Sequence, residues 1–217
     1  QGRKSPRQEY RSDGRGSYQH IPLVVLIDEG SASASEIKPG DAILMTKTAG
    51  IEGTGIIACD YEEELREVLS GEELEHAKSL LSKVSVVKDG IIAGRIGTHG
   101  MHDVTEGGIL GAVWEMCSIA GTGARLDAEA IPADDVTRRI CEHYDINMLR
   151  LISSGSMLIM TEEDKKEEII RELAAQGIPA AQIGKIVPKE EGLSICEGGK
   201  QTQIDPPGPD ELYKIVK

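Results

Sequence analysis

Phenylalanine is absent from the 217 residues, and aromatic side chains make up only 3% of the sequence. Few aromatic side chains are therefore available to stack on the bases of a nucleic acid. The hydrophobic core has to consist of Ile, Leu, Val, Met and Ala. The longest apolar run, residues 23–27, is the size of one strand and far below the roughly 20 residues that span a membrane. The first twenty residues also lack the apolar stretch of a secretory signal.

Positive charge and cysteine are scarce as well. The chain has 24 Lys and Arg against 37 Asp and Glu, which gives a net charge of −13, so nucleic acid and anionic membranes are not expected as partners. The cysteines are Cys59, Cys117, Cys141 and Cys196, and no two of them form a CxxC pair. Neither a metal site nor a disulfide framework is predicted, and a reduced, cytoplasmic setting is expected.

The composition divides the chain near residue 37. Residues 1–20 are rich in Gly, Ser and Gln and are typical of a loop, and the apolar run at 21–28 predicts a buried strand. From residue 38 onward, strand and helix patterns mix, and residues 156–187 predict a strand–helix–strand unit. Strands are predicted at 42–47, 124–127, 156–161, 183–187, 193–196 and 201–204, and helices at 62–69, 72–83, 84–96, 105–120, 133–144 and 162–176. This order predicts an α+β domain, a mixed β-sheet with helices packed on it.

A polar cluster, Met101-His-Asp-Val-Thr-Glu-Gly-Gly108, leads directly into one of these helices. The unpaired N–H groups at a helix start favour phosphate or carboxylate, and adjacent glycines let such a ligand come close to the backbone. Asp103 could hold a metal or a ribose hydroxyl, and His102 could transfer a proton near neutral pH. The structural alternative is that Thr105 caps the helix and the glycines serve packing.

This motif resembles the one that opens a central helix in the C-terminal domain of aminoimidazole ribonucleotide (AIR) synthase-like proteins, an ATP-dependent superfamily. Two further segments resemble the same domain in the same order. Residues 38–54 (KPGDAILMTKTAGIEGT) are similar to its entry strand and Gly-rich turn, and residues 151–159 (LISSGSMLI) to a later turn and strand. The resemblance implies an AIR synthase C-terminal-domain-like fold over residues 38–217.

The resemblance also implies that three turns line a cleft that holds a small substrate or its phosphorylated intermediate. The substrate- or phosphate-binding residues that it implies are Thr48, Gly50, Gly53, Thr105, Gly107, Gly108, Ser153, Ser154 and Gly155. Catalytic roles are implied for His102 and Asp103. For Thr48 and the serines, ordinary turn and cap chemistry remains the alternative.

Relatives transfer the γ-phosphoryl group of ATP and hold ATP and magnesium mainly through an N-terminal domain with acidic clusters. No such domain is expected before residue 38, so tight binding of ATP or magnesium to this chain alone is not expected. The resemblance implies a substrate-side domain that is inactive without an ATP-binding half, which a separate chain could supply. The hydrogenase maturation factors of the HypE type, which belong to this superfamily, end in a short tail with a terminal Cys, whereas this chain ends Tyr213-Lys-Ile-Val-Lys217. The chain therefore resembles an AIR synthase-related branch near HypE rather than a working HypE. A noncatalytic binding or oligomerisation module is the alternative.

The front segment resembles a different family. Residues 21–37 (IPLVVLIDEGSASASEI) are similar to the strand-to-helix elbow of carboxyl-terminal processing serine peptidases, with Ser31 at the position of the nucleophile. The lysine base expected roughly two dozen residues downstream is missing, since that region, near Ile56, is apolar. We therefore predict a vestigial peptidase-like segment over 1–37, joined as a chimera to the domain at 38–217. Its apolar strand is expected to pair with a sheet edge of its own domain or of a second copy in a homodimer.

Overall fold

The computed structural model describes residues 36–215. The predicted strand at 21–28 and Ser31 lie outside the described residues. The strands are β1 (Ala42–Thr46), β2 (Gly100–Asp103), β3 (Gly123–Asp127), β4 (Met157–Thr161), β5 (Ala180–Val187), β6 (Leu193–Glu197) and β7 (Lys200–Gln203). The helices are α1 (Ile51–Asp60), α2 (Glu62–Leu65), α3 (Gly71–Ser79), α4 (Val87–Ile96), α5 (Gly108–Ala120), α6 (Asp135–His143) and α7 (Lys166–Ala175).

Within the described part of the chain, the strands form one mixed sheet in the order β2-β4-β1-β5-β3-β6-β7. Only the β3–β6 pair of this sheet is parallel. Since β4 and β5 each run antiparallel to the β1 strand between them, they are parallel to each other. The predicted α+β class is confirmed, and so is the strand–helix–strand unit, with β1 inserted between its strands.

Helices cover both faces of the central strands, which explains their continuous apolar sequences AILMT and MLIMT. Ile43 and Met45 of β1 join the buried cluster that α5 completes on one face. Leu44 and Ala42 face the other way, into a cluster with α4 and α7. A strand buried on both faces has no polar side to display, so its sequence shows no alternation. None of the helices between residues 36 and 215 is long and apolar enough to cross a membrane.

A third buried cluster lies away from the sheet and joins α1, α2, α3 and α6 through residues such as Ile57, Leu65, Leu74 and Ile140. Helix α1 belongs to this layer, although the sequence predicts only a Gly-rich turn at residues 48–53. Gly53 and Gly55 lower helix propensity, yet packing requires them. A Cβ on Gly53 would lie 2.5 Å from Leu151 Cγ. Tertiary contacts therefore override the local signal, and Gly53 lies within α1.

The prediction that the helix starts at Thr105 is also wrong. Helix α5 begins at Gly108, and its N-cap is Gly107, whose φ of 80° is left-handed. Gly108 has a φ of 62°, so the chain turns sharply where the sequence suggests a helix. His102 and Asp103 lie on the edge strand β2, ahead of this turn. Two consecutive left-handed residues interrupt the right-handed helix geometry, and the backbone extends into β2 instead.

The packing of the domain includes the residue before Lys38. Ile37 is 4% exposed and belongs to the main core cluster. A Cβ on Gly100 would lie 2.7 Å from the Cδ1 atom of Ile37, so the isoleucine side chain takes the space that Gly100 leaves free on β2. Ile37 therefore contributes to the core of the domain that the sequence assigns to residues 38–217.

Candidate functional site

The turn after β1 and the turn before β4 are joined by hydrogen bonds. The Gly50 N–H donates to Ser153 Oγ at 2.8 Å, and Ser153 Oγ lies 3.0 Å from Ser156 Oγ. The Ser156 hydroxyl in turn donates to the Thr48 carbonyl at 2.6 Å. Both serines are fully buried, so they fix the two turns and are not free to contact a ligand. Ser153 is thus a structural member of the site.

The third predicted segment, at residues 102–108, meets the other two at Ser156. The Val104 N–H donates to the Ser156 carbonyl at 2.9 Å, and Asp103 stands opposite Met157 in the β2–β4 register. Ser156 therefore contacts both neighbouring turns, one through its hydroxyl and the other through its carbonyl. The structure brings together the three turns that the sequence predicts to line one cleft.

The glycines at the start of α5 do allow close approach, but the approaching groups belong to the chain itself. A Cβ on Gly108 would lie 2.6 Å from the Leu149 carbonyl oxygen and 2.9 Å from Arg150 Cα. The Gly107 N–H donates to Asp210 Oδ2 at 2.7 Å. The helix start thus has an anionic partner, as its geometry favours, and this partner is a carboxylate of the same molecule.

Asp210 lies in the segment that we call the strap, residues 205–215. Its carboxylate is 4% exposed. Besides Gly107, Oδ1 accepts from the Ile152 N–H at 3.2 Å and from the Leu212 N–H at 2.9 Å. Asp210 therefore ties the start of α5 to the turn before β4, and nothing in the local sequence predicts this contact.

His102 and Asp103 lie on β2, which is an edge strand of the sheet formed by residues 36–215. His102 Nε2 is 3.4 Å from Glu115 Oε2 on α5, and its Nδ1 lies 2.5 Å from the Asp103 carbonyl oxygen and 3.8 Å from the Asp103 carboxylate. The Asp103 side chain is 57% exposed, and Thr105 is exposed beside it. Glu115 can orient the imidazole while the Asp103 carboxylate stays open to a ligand.

Lys47 connects β1 to the turn at Gly155 and to the start of α4, and the sequence does not predict these contacts. It follows β1 with a left-handed φ of 57°. Its ammonium donates to Asp89 Oδ1 at 2.7 Å, to the Gly155 carbonyl at 2.7 Å and to the Ser85 carbonyl at 3.1 Å. Three acceptors use all the donors of a lysine, so Lys47 holds the Gly155 turn against the start of α4.

The polar side chains that remain open to a ligand are few. Thr48 and Ser154 are partly exposed, and Asp103 and Thr105 are exposed. Among residues 36–215, no three His, Cys, Asp or Glu side chains are placed to hold a metal ion. Burial raises the pKa of the Cys117 thiol to about 11 and that of Cys141 to about 12, so both are protonated and unreactive at neutral pH.

Comparison with known proteins shows to which family the chain belongs. Residues 38–196 match the family described as AIR synthase related protein, C-terminal domain. The chain belongs to this family. It is 26% identical over 157 residues to carbamoyl dehydratase HypE of Rhizobium leguminosarum bv. viciae, a match that covers 69% of this chain and 41% of that protein.

Solved structures of HypE share the AIR synthase-related fold. The Escherichia coli HypE structure matches with a TM-score of 0.71 and 26% identity, over 85% of this chain and 55% of that one. A HypE structure in complex with ATP matches with a TM-score of 0.64 over the same shares, but at 19% identity it shows the fold alone. The chain spans about half the length of the curated relatives it matches.

Proposed function

We propose that the domain is the substrate-side half of a HypE-like, ATP-dependent phosphoryl-transfer enzyme, and that it acts together with an ATP-binding half. The observation that carries the proposal is the meeting of the three turns at Ser156. The order β2-β4-β1 brings the three turns to one end of the sheet, and open polar groups from several elements that meet in one place are what a binding site requires. Family membership and the named ATP complex of a HypE with the same fold support the ATP dependence.

In this proposal each exposed or partly exposed polar group of the site has its own role. The hydroxyls of Thr48, Thr105 and Ser154 donate hydrogen bonds to phosphoryl oxygens of the substrate or its intermediate. The Asp103 carboxylate accepts from a substrate hydroxyl or amine, and His102, oriented by Glu115, moves a proton. Such groups act by positioning and by neutralising charge, which is most of what phosphoryl transfer requires from a protein.

The family resemblance implies that the ATP-binding half holds magnesium. Magnesium with ATP is usually held by one or two carboxylates together with substrate phosphates, and no metal-binding cluster lies within residues 36–215. We therefore assign the binding of ATP and magnesium to the ATP-binding half. The domain is then inactive by itself.

We expect the chain alone not to hydrolyse ATP, because the groups that would hold magnesium belong to the other half. The measurement is phosphate release from ATP with magnesium, compared with buffer. Steady turnover that disappears in Asp103→Ala but persists in Asp164→Ala, an exposed carboxylate on the loop before α7, would contradict the proposal. Asp103 suits this test because its exposed side chain contributes little to the core.

A further inference from the structure

We propose that the strap is an intramolecular competitor for the ligand site: its Asp210 carboxylate takes the place of an anionic ligand group at the start of α5. Docking of the strap and binding of an anion there then exclude each other. The inference rests on the proposed function in one respect, since it takes the opening of α5 as part of the ligand site.

The contacts of Asp210 are those expected of a bound anion. Its two oxygens accept from three backbone N–H groups, on Gly107, Ile152 and Leu212. Hydrogen bonds to an ionised acceptor are about twice as strong as neutral ones, and the near-complete burial of this carboxylate protects them from water. Gly107 and Ile152 belong to two of the three turns of the candidate site, so the carboxylate lies between them.

The strap also covers the glycines that would let a ligand approach α5. A Cβ on Gly107 would lie 3.6 Å from Pro207 Cβ, and a Cβ on Gly111 would lie 3.7 Å from the same atom. Both are ordinary contact distances for an added methyl group, so Pro207 lies over the glycine surface of the first turns of α5 and leaves room for little more than a methyl group. A ligand that uses this surface has to displace the strap.

The front of the strap, residues 205–209, has little hydrogen-bonding capacity of its own. Pro206, Pro207 and Pro209 have no N–H to donate, and residues 205–209 belong to no strand or helix. Elsewhere the strap is held by the Arg150 bond to the Asp205 carbonyl at 3.0 Å, by Glu211, which accepts from the Asn147 N–H at 2.9 Å, and by the Tyr213 hydroxyl, which donates to the exposed Glu106 at 3.0 Å. The end of the strap is fixed more firmly, because Ile215 is buried in the cluster with α1 and α6 and its carbonyl accepts from the Tyr61 hydroxyl at 2.9 Å. Asp210 is the carboxylate of the strap that accepts from the start of α5.

The test is a titration of the full chain with inorganic phosphate at constant ionic strength, followed through the amide resonances of Gly107 and Ile152. Asp210→Ala removes the competing carboxylate and frees both N–H groups. We expect this variant to bind phosphate at least about tenfold more tightly than the unsubstituted chain, because a charge-assisted acceptor no longer competes.

Glu211→Ala is the matched control. Glu211 is the next residue of the strap and is also a buried carboxylate, but it accepts from the Asn147 N–H at 2.9 Å instead of from Gly107 or Ile152. Its removal changes the net charge equally and is expected to leave phosphate affinity at Gly107 unchanged. An equal gain of phosphate affinity in Glu211→Ala would mean that the change in net charge explains the gain in Asp210→Ala, and it would overturn the proposal.

An Asp210→Ala chain that folds but gains no affinity at Gly107 and Ile152 also overturns it. Should that variant fail to fold, Asp210→Asn keeps an acceptor while removing the charge, and a smaller gain is expected; no gain is again decisive against the strap. Phosphate that perturbs Gly107 and Ile152 but never Thr48 or Ser154 would instead count against the proposed function and leave the strap standing.

Discussion

Replacing Lys47 with methionine is expected to lower the free energy of unfolding by about 3–5 kcal/mol, because a buried carboxylate loses its partner. Asp89 is 1% exposed, and the ammonium of Lys47 lies 2.7 Å from its Oδ1 atom. The same ammonium holds the Gly155 carbonyl, so the turn before β4 should loosen as well. Urea denaturation, with the midpoint and slope compared between variants, measures the change.

Two controls sharpen this experiment. Lys38→Met removes a lysine that is 57% exposed and pairs with Glu162 at the surface, so its effect should stay within about 1 kcal/mol. The double variant Lys47→Met/Asp89→Leu removes both charges and should recover most of the loss. A Lys47→Met chain as stable as Lys38→Met would show that the pair does not hold the turn.

Substituting Gly108 with alanine is expected to destabilise the domain by about 1–3 kcal/mol more than the same change at Gly177. Gly108 and Gly177 have similar left-handed φ values, 62° and 74°, so alanine meets the same backbone strain at both positions. At Gly177 the new Cβ would have nothing within 4 Å, whereas at Gly108 it would lie 2.6 Å from the Leu149 carbonyl oxygen.

The difference between the two variants isolates the steric clash at the start of α5. Thermal and urea denaturation of Gly108→Ala and Gly177→Ala give this difference directly. Equal losses of stability in the two variants would mean that Gly108 is required only for its backbone conformation. The segment at residues 149–150 would then move aside for the added Cβ at little energetic cost. The packing of α5 against the candidate site would then need revision.

The sequence predicts the sheet well because its strongest signals are local. The apolar runs of β1 and β4 stand between turn residues, and burial on both faces leaves them no other conformation. Helix α1 was missed because Gly53 and Gly55 resemble a turn locally. Their need for close packing is visible only when Leu151, far along the chain, comes into contact with Gly53.

For the candidate site too, the local features are predictable from the sequence and the long-range contacts are not. The three turns could be named from their motifs, since glycine and serine mark such turns locally. The contacts that hold them could not, because Lys47 pairs with a residue 42 positions away and Asp210 with one 103 positions away. No periodicity or spacing encodes such pairs. Ser156 lies within the motif LISSGSMLI, but the sequence predicts only that a strand starts there and does not indicate its contacts with the two other turns.

The central claim is that the turns at residues 48–53, 103–108 and 153–156 form one site for a small phosphorylated ligand. A titration of the unsubstituted chain with inorganic phosphate, followed by amide resonances, tests it most directly. We predict that the resonances of Thr48, Thr105 and Ser154 move together and saturate along one binding curve. Saturable shifts confined to another surface, such as the shallow cavity between Gly192 and Gln203, with no change at these three residues, would contradict the account.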